Sequence, residues 1–92
     1  MLELTQHAKV RMQQRGITAT TLESLLDYGA LAYDHRGGTI LYFDKKARTR
    51  LRKVAGRAAY RVMEKQLNAY AVVATGGAVV TVGHRDKRIT RP

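Results

Sequence analysis

Ninety-two residues, 45% of them apolar and 26% charged, suit a single globular domain, residues 1–92, with one hydrophobic core and no room for a second. The absence of cysteine excludes disulfides, thiolate zinc sites, iron–sulfur clusters and a thiol nucleophile. Seventeen Lys and Arg against seven Asp and Glu leave a net charge of +10, with eleven of the cations Arg, so the expected partner is anionic.

Helix signals open the chain. Thr5 is placed to cap a helix over Gln6 to Arg15, and Gly16 can take the left-handed conformation that ends one. Thr18 caps a second helix while Ile17 packs on Leu22 as a hydrophobic staple, although Thr20 to Glu23 also spells a capping box. Leu22, Leu25 and Leu26 form its apolar stripe, and Gly29 closes it.

From Ala30 the apolar period becomes two. Segments 30–36 and 39–44 flank Gly37 and Gly38, and segments 69–75 and 78–83 flank Gly76 and Gly77, so each pair of glycines is expected at the turn of a hairpin. Two-residue turns would set Tyr33 opposite Tyr42, Val73 opposite Val80 and Ala71 opposite Val82, with His84 on the Val80 and Val82 face. Between the hairpins, Lys45 to Ala55 reads as a basic helix ending at Gly56, and 57–67 leans towards helix. The expected fold is therefore α+β: two N-terminal helices on an antiparallel sheet of about four strands, with a basic helix between its two hairpins.

Charge is concentrated as well as abundant. Lys45, Lys46, Arg48, Arg50, Arg52, Lys53, Arg57 and Arg61 occur without one acid among them, the pattern of a nucleic-acid or acidic-partner surface. His7, Arg11 and Arg15 recur every four residues, along one ridge of the first helix, next to the Leu4, Ala8 and Met12 ridge that faces the core. At the end of the last strand stand His84, Arg85, Lys87 and Arg88. Histidine among phosphate-binding cations suits RNA cleavage without metal, in which a base takes the 2′-hydroxyl proton and an acid protonates the leaving 5′-oxygen.

Other chemistries find less support. The seven acids are scattered with no close carboxylate pair, and His7, His35 and His84 lack metal-ligand spacing, so neither metal nor cofactor is expected. Neither glycine pair opens a helix in the manner of a phosphate loop. The five tyrosines are read first as packing residues, with base stacking as the alternative. No membrane association is expected, because the longest nearly apolar stretch, 69–82, is too short to span a bilayer as a helix and contains Gly76 and Gly77. The first ten residues carry Glu3, His7 and Lys9 where a secretory segment needs an apolar run, so a cytoplasmic location is expected.

The run from His7 to Ile17, the segment from Leu22 to Gly29, the run from Tyr42 to Arg48 and the ending from Val80 to Arg85 together resemble a family of small bacterial proteins of unknown function. That family opens with H-x-x-x-R-x-x-x-R-G-I and is grouped distantly with the RelE, ParE and BrnT toxins. The resemblance implies two helices on an antiparallel sheet and a positively charged cleft where ribonuclease members bind RNA. It places His7, Arg11 and Arg15 on the family's helical motif, and His84 and Arg85 on its strand-end motif. It also implies an acidic antitoxin as a partner. ParE-like members are not ribonucleases, so the likeness alone does not decide catalysis.

The expectation carried forward is a metal-independent, toxin-like ribonuclease. His7 and His84 would be its acid/base pair. Arg11, Arg15, Arg85, Lys87 and Arg88 would bind phosphate, and Lys45, Lys46, Arg48, Arg50, Arg52 and Lys53 would form a nucleic-acid or partner surface. The rival is a non-catalytic basic module that uses the same cations to hold nucleic acid or an acidic protein, and an inert structural domain is the third reading. The distance between His7 and His84 discriminates the first two, since an acid/base pair must flank one phosphate.

Overall fold

The computed structural model describes residues 3–33 and 37–85, and shows an α+β fold in which helices pack on one face of a four-stranded antiparallel sheet. Helix α1, Gln6–Arg15, starts where the Thr5 hydroxyl accepts the Ala8 N–H at 3.1 Å. It ends at Gly16, whose φ of 66° lets the Ile17 N–H return to the Met12 carbonyl at 2.9 Å. Helix α2, Ala19–Tyr28, is capped by Thr18 through the Thr21 N–H, so the competing capping box at Thr20 is not used. Ile17 and Leu22 are both buried, as a staple requires.

The strands are β1 (Ala30–Tyr33), β2 (Thr39–Tyr42), β3 (Ala69–Val73) and β4 (Val79–His84), in the spatial order β1-β2-β3-β4. The first hairpin departs from the expected register. Tyr33 pairs with Thr39 and Ala30 with Tyr42, not Tyr33 with Tyr42, and the rest of the expected strand, 34–36, lies outside the described residues. In the second, Ala71 does face Val82, but a bulge at Val72/Val73 brings Val79, not Val80, opposite Val73. The segment before α1 also joins the sheet, with Leu4 bridging Val79 in parallel and Thr5 N–H donating to the Val79 carbonyl at 3.1 Å.

Antiparallel pairing divides the sheet residues into two rows. Leu41, Ala71 and Val82 align on the face that carries the core, where they meet Ala8 of α1 and Leu22 and Leu25 of α2. Phe43, Leu25 and Leu51 are fully enclosed there, each contributing about 1.5–3 kcal/mol by its transfer from water. Tyr42, Tyr70 and Gly83 align on the opposite face. Tyr42 is nonetheless buried, and the Arg85 guanidinium lies over its ring at 5.0 Å from the centroid.

Helix α3, Lys45–Met63, runs from β2 to β3, and a 3₁₀ turn over Glu64–Gln66 follows it. The Asp44 carboxylate caps it by accepting the Ala47 N–H at 2.7 Å. Its anchors are Ala47 and Leu51 near the start and Met63 at the end, where Ser24 of α2 donates to the Met63 sulfur at 3.5 Å. Gly56 interrupts the helix with φ 85° and ψ 165°, a conformation open essentially to glycine alone. The basic helix therefore leaves the helical conformation at Gly56, where its sequence ends it. A second helical segment follows, so 57–63 is helix, as the sequence leans, and the 3₁₀ turn takes 64–66.

Candidate nucleic-acid interface

Helix α1 lies along β4, and the two are tied at both ends. At one end Thr5 bonds Val79 and Val80, with its hydroxyl donating to the Val80 carbonyl at 3.2 Å. At the other, His84 Nε2 meets the Arg15 carbonyl at 2.9 Å, and Nδ1 meets the Asn68 side-chain oxygen at 2.9 Å. A backbone carbonyl only accepts, so Nε2 must carry a proton. The Asn68 amide lies against Nδ1, and whether it presents its oxygen or its NH₂ follows the proton on that nitrogen.

This arrangement separates the two histidines expected to share proton transfer. His7 is exposed in the first turn of α1, whereas His84 touches the last residue of that helix. The rise from His7 to Arg15 is about 12 Å along the axis. The structure thus joins His84 to Arg15 and leaves His7 near the other end of β4. Arg11, one turn from Arg15, is half-buried, and its Nε is enclosed with no hydrogen-bond partner among the described residues. Lys87 and Arg88 lie outside the described residues.

Two of the expected contact cations serve the fold itself. Arg48 Nε donates to the Phe43 carbonyl at 3.2 Å and its Nη2 to the Leu67 carbonyl at 3.2 Å. Arg85 Nη2 reaches the same Phe43 carbonyl at 3.0 Å. Together they satisfy carbonyls where β2 passes into α3 and where β3 begins. No sequence signal distinguishes Arg48 from its neighbours, and none marks Asn68, whose role depends on how β3 pairs with β4.

The remaining cations of α3 form the larger basic surface. Lys45, Lys46, Arg50, Arg52, Lys53, Arg57 and Arg61 are all exposed, and the helix has no acidic residue to offset them. Lys45, Lys46, Thr49, Arg50 and Lys53 line a shallow depression along its first half. At the Gly56 break the surface becomes concave: Arg52, Lys53, Arg57, Tyr60, Arg61 and Glu64 line an open groove of about 670 Å³. Arg52 lies over the Tyr60 ring there, 5.3 Å from its centroid.

Among the described residues no group of His, Asp and Glu is placed to hold a metal ion, and no helix is long and apolar enough to cross a membrane. The model of a family described as a domain of unknown function matches residues 4–84. Neither a curated protein nor a solved structure matches the chain.

Proposed function

The chain belongs to the DUF4258 family, whose description assigns no activity, and from its charge we propose a basic module that binds RNA chiefly through its phosphate backbone. The observation that carries this reading is the acid-free α3, which presents seven exposed cations on one element. Nothing on the helix neutralises these cations, so an approaching polyanion meets an unbalanced positive field and releases its own condensed counterions. The same surface suits an acidic, antitoxin-like protein, which would compete with RNA for it. Likeness to RelE-, ParE- and BrnT-like toxins remains part of this proposal.

A fluorescence anisotropy titration with labelled RNA across a salt series tests the reading. Affinity should fall steeply as salt rises. Undetectable binding at low salt, or affinity indifferent to salt, removes it.

Cleavage is the second reading, resting on the placing of His84 beside the end of α1 that carries Arg15; it requires His84 to give up its bond to the Arg15 carbonyl or to Asn68. In that chemistry the 2′-oxygen attacks phosphorus and the 5′-oxygen leaves, producing a 2′,3′-cyclic phosphate and a 5′-hydroxyl. Incubating labelled RNA with the purified protein in EDTA decides it. Intact RNA leaves the binding module as the function.

A further inference from the structure

The break at Gly56 shapes a site that the basic surface alone does not explain. In a straight helix, residues 52 and 60 would be about 12 Å apart along the axis and about 80° apart around it. Here the Arg52 guanidinium rests over the Tyr60 ring at 5.3 Å. A guanidinium plane and an aromatic ring are both surfaces on which unpaired bases stack. Lys53, Arg57 and Arg61 surround it with positive charge, and the groove of about 670 Å³ falls within the range of small-molecule sites.

Glu64 is the one acid in this lining. Beside four cations its carboxylate is no ligand for phosphate, but its two oxygens match a pair of adjacent donors. Among the four RNA bases only guanine offers such a pair on its Watson–Crick edge, N1–H and the N2 amino group. We infer that the groove holds one unstacked nucleotide of single-stranded RNA, with its base on the Arg52–Tyr60 pair, its phosphates on Lys53, Arg57 and Arg61, and guanine selected by Glu64. This inference rests on the RNA-binding reading and gives it a subsite and a base preference.

The test is anisotropy with fluorescein-labelled 5′-UUGUU and 5′-UUAUU. The native chain should prefer the guanine oligonucleotide by about fivefold or more, the discrimination expected of a two-bond base contact. Glu64→Gln, which replaces one acceptor with a donor, should abolish that preference. Tyr60→Ala should weaken both oligonucleotides by about fivefold or more, Tyr60→Phe should retain affinity, and duplex RNA should be indifferent to either. Tyr60 also touches the core, so Arg57→Gln combined with Arg61→Gln, both exposed, provides a change that spares packing and should weaken both oligonucleotides equally.

Equal affinity of the native chain for the two sequences overturns the inference. So does indifference to the Arg57 and Arg61 changes while charge reversal at Lys45, Lys46 and Arg50 still weakens binding; in that case the basic module stands without its nucleotide groove. Failure of the native chain to bind any RNA at low salt removes the module and the groove together.

Discussion

His84 donates from Nε2 to the backbone carbonyl of Arg15 across 2.9 Å, joining the end of the last strand to the end of the first helix. That carbonyl belongs to the last turn of α1, where backbone acceptors lack partners within the helix. With Asn68 on its other nitrogen, the imidazole braces three segments at once. His84→Ala should accordingly lower stability by about 0.5–1.5 kcal/mol, read as a lower urea midpoint with an unchanged slope. Asn68→Ala should give a smaller loss, and the double variant should lose less than the sum. RNA affinity should change little in all three.

The two histidines make different predictions for chemistry. If RNA is cleaved, His7→Ala should leave the rate essentially intact, because His7 sits about 12 Å of helix away from the His84 end. A loss of two or more orders of magnitude on His7→Ala, measured in single-turnover cleavage, would contradict the separation described above and restore the paired acid/base scheme.

Arg48 and Lys46 are near neighbours in sequence with opposite assignments. Arg48→Gln removes donors from the Phe43 and Leu67 carbonyls and should cost about 1–3 kcal/mol in denaturant unfolding. Lys46→Gln, on an exposed position, should stay within about 0.5 kcal/mol of the native stability. Its effect should appear in binding, where each lost phosphate contact lowers the salt slope on single strands by about 0.7.

Gly56→Ala tests the break in α3. Apart from its own local backbone and chain neighbours, no described atom lies within 4 Å of the position a Cβ would take, so crowding does not oppose the change, and the penalty comes from φ 85° with ψ 165°. The expected cost is about 1–3 kcal/mol if the break persists. A stability equal to or above that of the native protein, accompanied by increased helical circular dichroism, would show that α3 straightens instead, and single-stranded RNA affinity should then fall with the groove.

Features decided by a few adjacent residues were readable in the sequence. Thr5, Gly16 and Thr18 cap their helices as their side chains and backbone freedom dictate, and the order of helices and hairpins follows from the change in apolar period. The first hairpin register was not readable, because two glycines permit a tight turn without requiring it. Thr75, in the turn of the other hairpin, donates to the Gly37 carbonyl, a contact that joins the two connections and has no signature in either. Gly56 carries the same lesson in a helix: glycine marks a place where the chain is free to leave the helical region, while Met63 packing on Ser24 holds the segment beyond it in place. The candidate site divides similarly. The basic block was visible as composition, but the difference between Arg48 and Arg50, and the distance from His7 to His84, arise only once β3, β4 and α1 are packed.

The two borders of the sheet are unequal. At the start of β4, Glu3 and Thr5 already bond Val79, whereas β1 forms the opposite border, with Leu31 and Tyr33 exposed beside it. Among the described residues, the border left open along its whole strand is therefore that of β1. A second copy joining through its own β1 would occupy the open border of both partners, and neither would retain one for a third. Such pairing through β1 is isologous and closes at two copies, while the short N-terminal segment at the start of β4 obstructs addition there.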